Sequence, residues 1–125
     1  MIKKIAVIGT GVIGTGWIIR CLAHNFKVTA YDRDPKLKKK IIQEIRRASP
    51  FVKKLFKKKK INLKNFKYVT SLEAALEDAD FIQENATENY KIKTKLMSII
   101  GKYAKTNAII SSSSSGLLPT RIYSK

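Results

Sequence analysis

Four apolar residues, Ile5-Ala6-Val7-Ile8, run straight into Gly9-Thr-Gly-Val-Ile-Gly-Thr-Gly-Trp17. A short continuous apolar run suits a strand covered on both faces. From Val12 the spacing changes to a helical one, with Val12, Ile13, Trp17, Ile19, Cys21 and Leu22 as its apolar positions. That pattern predicts a helix to His24, ending near Asn25. A strand that passes through glycines directly into a helix is the start of an α/β unit, and the rest of the chain repeats the alternation.

Lys27–Tyr31 reads as a second strand, finishing at Asp32. Asp34-Pro35 is a helix start, an acid at the cap followed by proline at the first helical position. The helix is expected to run to about Ala48, where Ser49-Pro50 interrupts it. A second basic helix, Phe51–Lys60, is expected to fold back on the first. Lys67–Thr70 reads as a third strand, and Ser71 caps a short helix through Leu76. Phe81–Gln83, the helix Glu88–Tyr103, and the strand Ala108–Ile110 follow, before five consecutive serines. Pro119 opens a further helical segment. Strands alternating with helices imply a parallel sheet. The expected fold class is therefore α/β, a Rossmann-type doubly wound parallel sheet with a helical hairpin insertion after the second strand.

Gly9, Gly11 and Gly14 have the G-x-G-x-x-G spacing and lie between a strand and a helix, the context in which that spacing carries meaning. Gly9 permits a tight turn, Gly11 lets main chain approach a pyrophosphate, and Gly14 lets helix and strand pack closely. The loop Gly9, Thr10, Gly11, Val12, Ile13, Gly14 thus offers unpaired helix N-terminal amides to phosphate. Asp32 ends the second strand roughly 20 residues downstream, the place from which a carboxylate accepts hydrogen bonds from a ribose diol. A carboxylate there repels a 2′-phosphate, so NAD is favoured over NADP.

Length and composition fit a globular domain: 125 residues, 44% of them hydrophobic, are enough to bury one core. The net charge of +17 is concentrated between Lys36 and Lys67, which hold fourteen Lys or Arg against one acid, Glu44. Lysines around Phe51, Phe56 and Phe66 are compatible with a basic nucleic-acid-binding module, or with an anionic membrane surface. The favoured reading is a solvated helical face, because Ile41, Ile42, Ile45, Val52 and Leu55 supply a packed side. No run is long enough to span a membrane, and no export signal or cysteine framework is present, so a cytoplasmic protein is expected. Cys21, the sole cysteine, reads as an inert core residue. Trp17 reads as packing, and His24, the sole histidine, as a helix C-terminal residue.

The segments "AVIGTGVIGTGW", "DADFIQE" (Asp78–Glu84), "ENYKIKTKL" (Glu88–Leu96) and "AIISSSSSGLLP" (Ala108–Pro119) together resemble the L-3-hydroxyacyl-CoA dehydrogenase superfamily. "SGLLPT" makes the likeness greatest to its L-carnitine dehydrogenase branch. The resemblance spans essentially the whole chain, as the N-terminal NAD-binding domain of a longer, truncated enzyme. It implies that Glu88 and Lys93 hold the nicotinamide side of NAD, and that Ser115 contacts both cofactor and substrate in a catalytic role. Ser114 stands where the family usually has threonine, and Thr87 where carnitine-type sequences tend to have proline. The small-molecule substrate so implied is L-carnitine, with 3-hydroxyacyl-CoA as the alternative. The family's CoA-contacting positions fall, without gaps, on Ala48 and Leu55, which argues modestly against CoA. By the same resemblance, the family's catalytic histidine–glutamate pair and its helical second domain, with the homodimer that domain forms, are expected beyond Lys125. The chain alone is expected to bind NAD and to turn nothing over.

Overall fold

In the computed structural model, residues 2–56, 61–85 and 89–112 are described. Five strands alternate with four helices among them: β1 (Lys4–Ile8), α1 (Val12–Ala23), β2 (Lys27–Tyr31), α2 (Leu37–Phe56), β3 (Phe66–Val69), α3 (Leu72–Leu76), β4 (Phe81–Glu84), α4 (Tyr90–Tyr103) and β5 (Ile109–Ser112). The sheet order is β3-β2-β1-β4-β5, and every neighbouring pair is parallel. Strand order therefore reverses between β1 and β4, which opens a crevice at the carboxyl ends of those two strands.

The central strand explains why helices are needed on both sides. Ile5 and Val7 belong to one core cluster, with Ile18, Leu22, Ile41, Ile45 and Val52 of α1 and α2. Ala6 and Ile8 belong to the other, with Leu76 of α3 and Met97 and Ile100 of α4. Alternate side chains of one strand point to opposite faces, so the unbroken apolar run read in the sequence is a doubly covered strand. Cys21 lies in the first cluster, where burial pushes its thiol pKa up to about 11 against the lowering influence of Arg20. Trp17, expected to pack, is 36% exposed on α1.

Local signals set most boundaries. Asn25 takes a left-handed φ of 68° after α1, a conformation asparagine tolerates better than most residues. The Ser71 hydroxyl accepts from the Ala74 amide at 3.3 Å and starts α3. At the amino edge of the sheet, Asp80 Oδ2 accepts from the Lys3 and Lys4 amides at 2.9 Å each, and Oδ1 pairs with Lys105. The Lys105 hydrogen bond, followed by those two amides, holds the Asp80 carboxyl well below the usual carboxylate range.

The expected helical hairpin is not observed. A single helix, α2, runs through Pro50 to Phe56. Ile41, Ile45 and Val52 lie along one stripe of it, all buried and all in the α1-side core. An interior proline costs about 3 kcal/mol. Burying Val52 beyond it contributes roughly 1.5–3 kcal/mol, and the Ser49 hydroxyl accepts from the Ile61 amide at 3.3 Å, with Ile61 also buried. Packing thus outweighs the local break. Leu55, counted as part of the packed side, is 76% exposed. No helix among the described residues is long and apolar enough to cross a membrane.

Candidate active site

The glycine loop is shaped by three different demands. Gly9 has φ 91°, a conformation that L side chains rarely adopt, and its amide donates to Tyr31 O at 2.9 Å. A Cβ on Gly14 would stand 1.9 Å from Gly9 O and 2.9 Å from Gly9 C. The first turns of α1 therefore press directly on the loop. A Cβ on Gly11 would meet nothing within 4 Å. Gly11 is also the N-cap of α1, with no side chain capping it. Uncapped amides beside open space form a cradle for a group bearing oxygen acceptors. Gly9 and Gly14 thus meet the steric demands of a tight turn and of close helix packing, and the open space at Gly11 fits a diphosphate.

Asp32 faces this loop. Its Oδ2 accepts from the Thr10 amide at 3.1 Å and from the Thr10 hydroxyl at 2.9 Å. Thr15 Oγ1 donates in turn to Thr10 O at 3.2 Å, so the loop is braced from both sides. A cleft of about 310 Å³ opens there, lined by Ile8, Gly9, Tyr31, Asp32, Arg33, Ile92 and Leu96. One end of it is charged and the other is apolar, with Ile92 half-exposed on α4. Val12 and Ile13 stand on the solvent side of the first turn of α1, at 93% and 61% exposure. The loop after β2 is held by the Tyr68 hydroxyl, which donates to Asp34 O. Burial, then the charges of Asp32 and Asp34, raise the phenol pKa of Tyr68.

Gly9, Thr10, Gly11, Gly14 and Asp32 are thus brought together, with Val12 and Ile13 at the helical end of the loop. Lys93 lies on α4, and its Nζ donates to both oxygens of Glu84 at 2.8 Å. The two side chains are 1% and 0% exposed. Ser112 Oγ donates to Glu84 Oε1 at 2.7 Å. Glu88 and Ser115 lie outside the described residues. Helix α4 starts at Tyr90 rather than at Glu88, and its cap is Asn89, whose side chain accepts from the Lys91 and Ile92 amides at 3.0 and 3.3 Å.

Two residues here were not singled out from the sequence. Glu84 ends β4 as a buried acid. An acid closing a short strand, with a lysine nine residues beyond, was the available signal. Asn85 follows it, donating its amide to Ile8 O at 2.8 Å, and its side chain lies 3.5 Å from the Cβ position of Gly14. Its amide ties the ends of β1 and β4 together, and no short-range pattern announces it. His24 caps the C-terminal end of α1, at the far end of that helix from the glycine loop. Among the described residues no group of three or more His, Cys, Asp or Glu is arranged to hold a metal.

Comparison with known proteins gives a consistent picture. The family model described as "3-hydroxyacyl-CoA dehydrogenase, NAD binding domain" matches residues 4–125. An L-carnitine dehydrogenase of Oceanobacillus iheyensis is 45% identical over 118 residues, which cover 94% of this chain and 38% of that protein. A second L-carnitine dehydrogenase, from Pseudomonas sp, is 41% identical over 98% of this chain and 38% of its own length. The crystal structure of an (S)-3-hydroxybutyryl-CoA dehydrogenase from Ralstonia eutropha superposes with a TM-score of 0.85 at 25% identity, covering 98% of this chain and 44% of that one. The chain spans 38% of the length of each of these two L-carnitine dehydrogenases.

Proposed function

Because the chain belongs to the NAD-binding domain family of the 3-hydroxyacyl-CoA dehydrogenases, we propose that residues 1–125 are the cofactor-holding domain of an L-carnitine 3-dehydrogenase-like oxidoreductase. The reaction of the whole enzyme is oxidation of a 3-hydroxy group to a 3-keto group. NAD, when bound, supplies the hydride acceptor for that step.

The residues of this chain bind and orient. The amides of Gly11, Val12 and Ile13 receive the diphosphate, while Gly9 and Thr10 shape the turn with their own amides held by Tyr31 O and Asp32 Oδ2, and Gly14 keeps α1 close enough to aim its amides there. Asp32 accepts from the ribose hydroxyls through Oδ1, since Oδ2 is committed to Thr10. Its charge turns away a 2′-phosphate. Ile92 and Leu96 wall the adenine. Glu88, Lys93 and Ser115 serve the nicotinamide half and the substrate. The 41–45% identity to L-carnitine dehydrogenases supports carnitine as substrate over a 3-hydroxyacyl-CoA.

A proton must also leave the substrate hydroxyl. His24, the sole histidine in the 125 residues, caps α1 away from the crevice, and we place the base for that proton in the part of the relatives' length that this chain does not span. We place substrate closure and homodimer formation in that same additional part, and the protein in the cytoplasm, in keeping with its lone buried thiol.

The observation that carries this reading is the Thr10–Asp32 contact, which aims the carboxylate into the glycine cradle. The test is a titration of the purified chain with NADH at two salt concentrations, beside a random oligonucleotide. Saturable, salt-tolerant NADH binding that Asp32→Ala abolishes, with no NAD reduction on adding L-carnitine, is the expected result. Binding to the oligonucleotide alone, weakening steeply with salt, replaces this reading with a nucleic-acid-binding one.

A further inference from the structure

The carboxyl ends of β4 and β5 carry a polar cluster that neither the glycine loop nor Asp32 uses. Glu84 and Ser112 are register partners across the two strands. One Glu84 carboxylate takes the Ser112 hydroxyl and both contacts of the Lys93 ammonium. Enclosing two charges costs several kcal/mol per ion, and well-packed apolar residues of similar volume serve stability as well or better. The cluster is thus poorly explained as a device for stability. What it does fix is geometry, because it ties the ends of β4 and β5 to the opening turns of α4 at a single point.

A dinucleotide held by Asp32 at the end of β2 crosses the switch point and lays its second half over β4 and β5. This step rests on the NAD reading above. We infer that Glu84 is a positioning residue for that second half. By engaging Lys93 and Ser112 with one carboxylate, it sets the floor on which the nicotinamide end lies. It also holds the Lys93 ammonium beside the carboxyl end of β4, under the half of the cofactor that Lys93 serves.

The test uses the full 125-residue chain and two ligands. NADH carries both halves, whereas ADP carries the adenosine and the diphosphate alone. The variants are Glu84→Gln, which keeps the size and shape of the side chain, and Ser112→Ala, which removes one hydroxyl; both leave Lys93 in place. Far-UV circular dichroism and Tm check that each is folded. Glu84→Gln is expected to bind ADP within about twofold of the parent and NADH about tenfold more weakly. Ser112→Ala gives the same split at smaller size should Glu84→Gln not fold. Equal weakening toward both ligands means a purely structural cluster, and unchanged NADH affinity means no role. Either overturns the inference while leaving the NAD reading in place. A parent chain that binds neither ligand overturns both.

Discussion

The three glycines of the loop make separable predictions, because an added methyl meets a different neighbour at each site. At Gly14 it arrives 1.9 Å from a main-chain oxygen. Carbon–carbon contacts settle at about 3.5–4.0 Å, so loop and helix must part by more than 1 Å as an order of magnitude. The obstacle is backbone, not the tip of a flexible side chain, and it has no rotamer to change. Overpacking of this kind costs typically 1–3 kcal/mol, against which alanine returns about 1 kcal/mol of helix propensity. Gly14→Ala should therefore lower stability by up to about 2 kcal/mol net, or up to roughly 8 °C in Tm for a domain of this size. NADH binding should fall with it.

Gly16, on the same helix, provides the control, since its methyl meets nothing within 4 Å. Gly16→Ala should raise stability by about 0.5–1 kcal/mol and leave NADH binding alone. Gly11→Ala also meets nothing in the protein. It should keep the parent Tm within about 2 °C, yet weaken NADH about tenfold or more, because the space it fills is ligand space. Thermal melts by circular dichroism and NADH fluorescence titrations on the three variants give the full set. Equal Tm values for Gly14→Ala and Gly16→Ala refute the close approach of helix and loop. Undiminished NADH affinity in Gly11→Ala refutes the cradle.

Two further outcomes follow from features away from the loop. Pro50→Ala restores an amide to the interior of α2 and should raise Tm by about 4 °C or more; a chain that truly broke at Ser49–Pro50 would gain nothing, as a melt would reveal. Asp80→Asn should lower Tm at pH 7, with the gap to the parent closing as pH falls. The folded-state pKa of Asp80 is depressed, so its contribution is present above the unfolded carboxyl pKa of about 3.9 and is lost on acidification below that value. A gap that persists unchanged at pH 2–3, followed by urea or thermal melts, contradicts that assignment.

What could be read from the sequence was what depends on near neighbours. The strand, glycines, helix and acid of the first unit lie within some thirty residues, and their spacing encodes the geometry found. The end of α2 was misjudged because proline is a local signal, whereas the stripe Ile41, Ile45, Val52 that overrides it acts through contact with α1. The last strand was placed too early for a related reason. Serines look like linker when counted by composition, but Ser111 and Ser112 pair with Gln83 and Glu84 across the sheet. The Glu84–Lys93–Ser112 cluster joins residues 28 positions apart in the chain. No period or motif announces such a contact, and only the parallel register of β4 and β5 creates it.

The link between Thr10 and Asp32 has a consequence for how cofactor preference can change. Thr10 is largely shielded from water, at 8% exposure, and both its amide and its hydroxyl rely on that one carboxylate oxygen. Replacing the acid to admit a phosphorylated ribose strands two donors at a cost of about 1–3 kcal/mol for each left unsatisfied, before any new anion arrives to satisfy them. A route from one nicotinamide cofactor to the other thus passes through both positions together, and single-step variants at Asp32 sit in a fitness trough between the two.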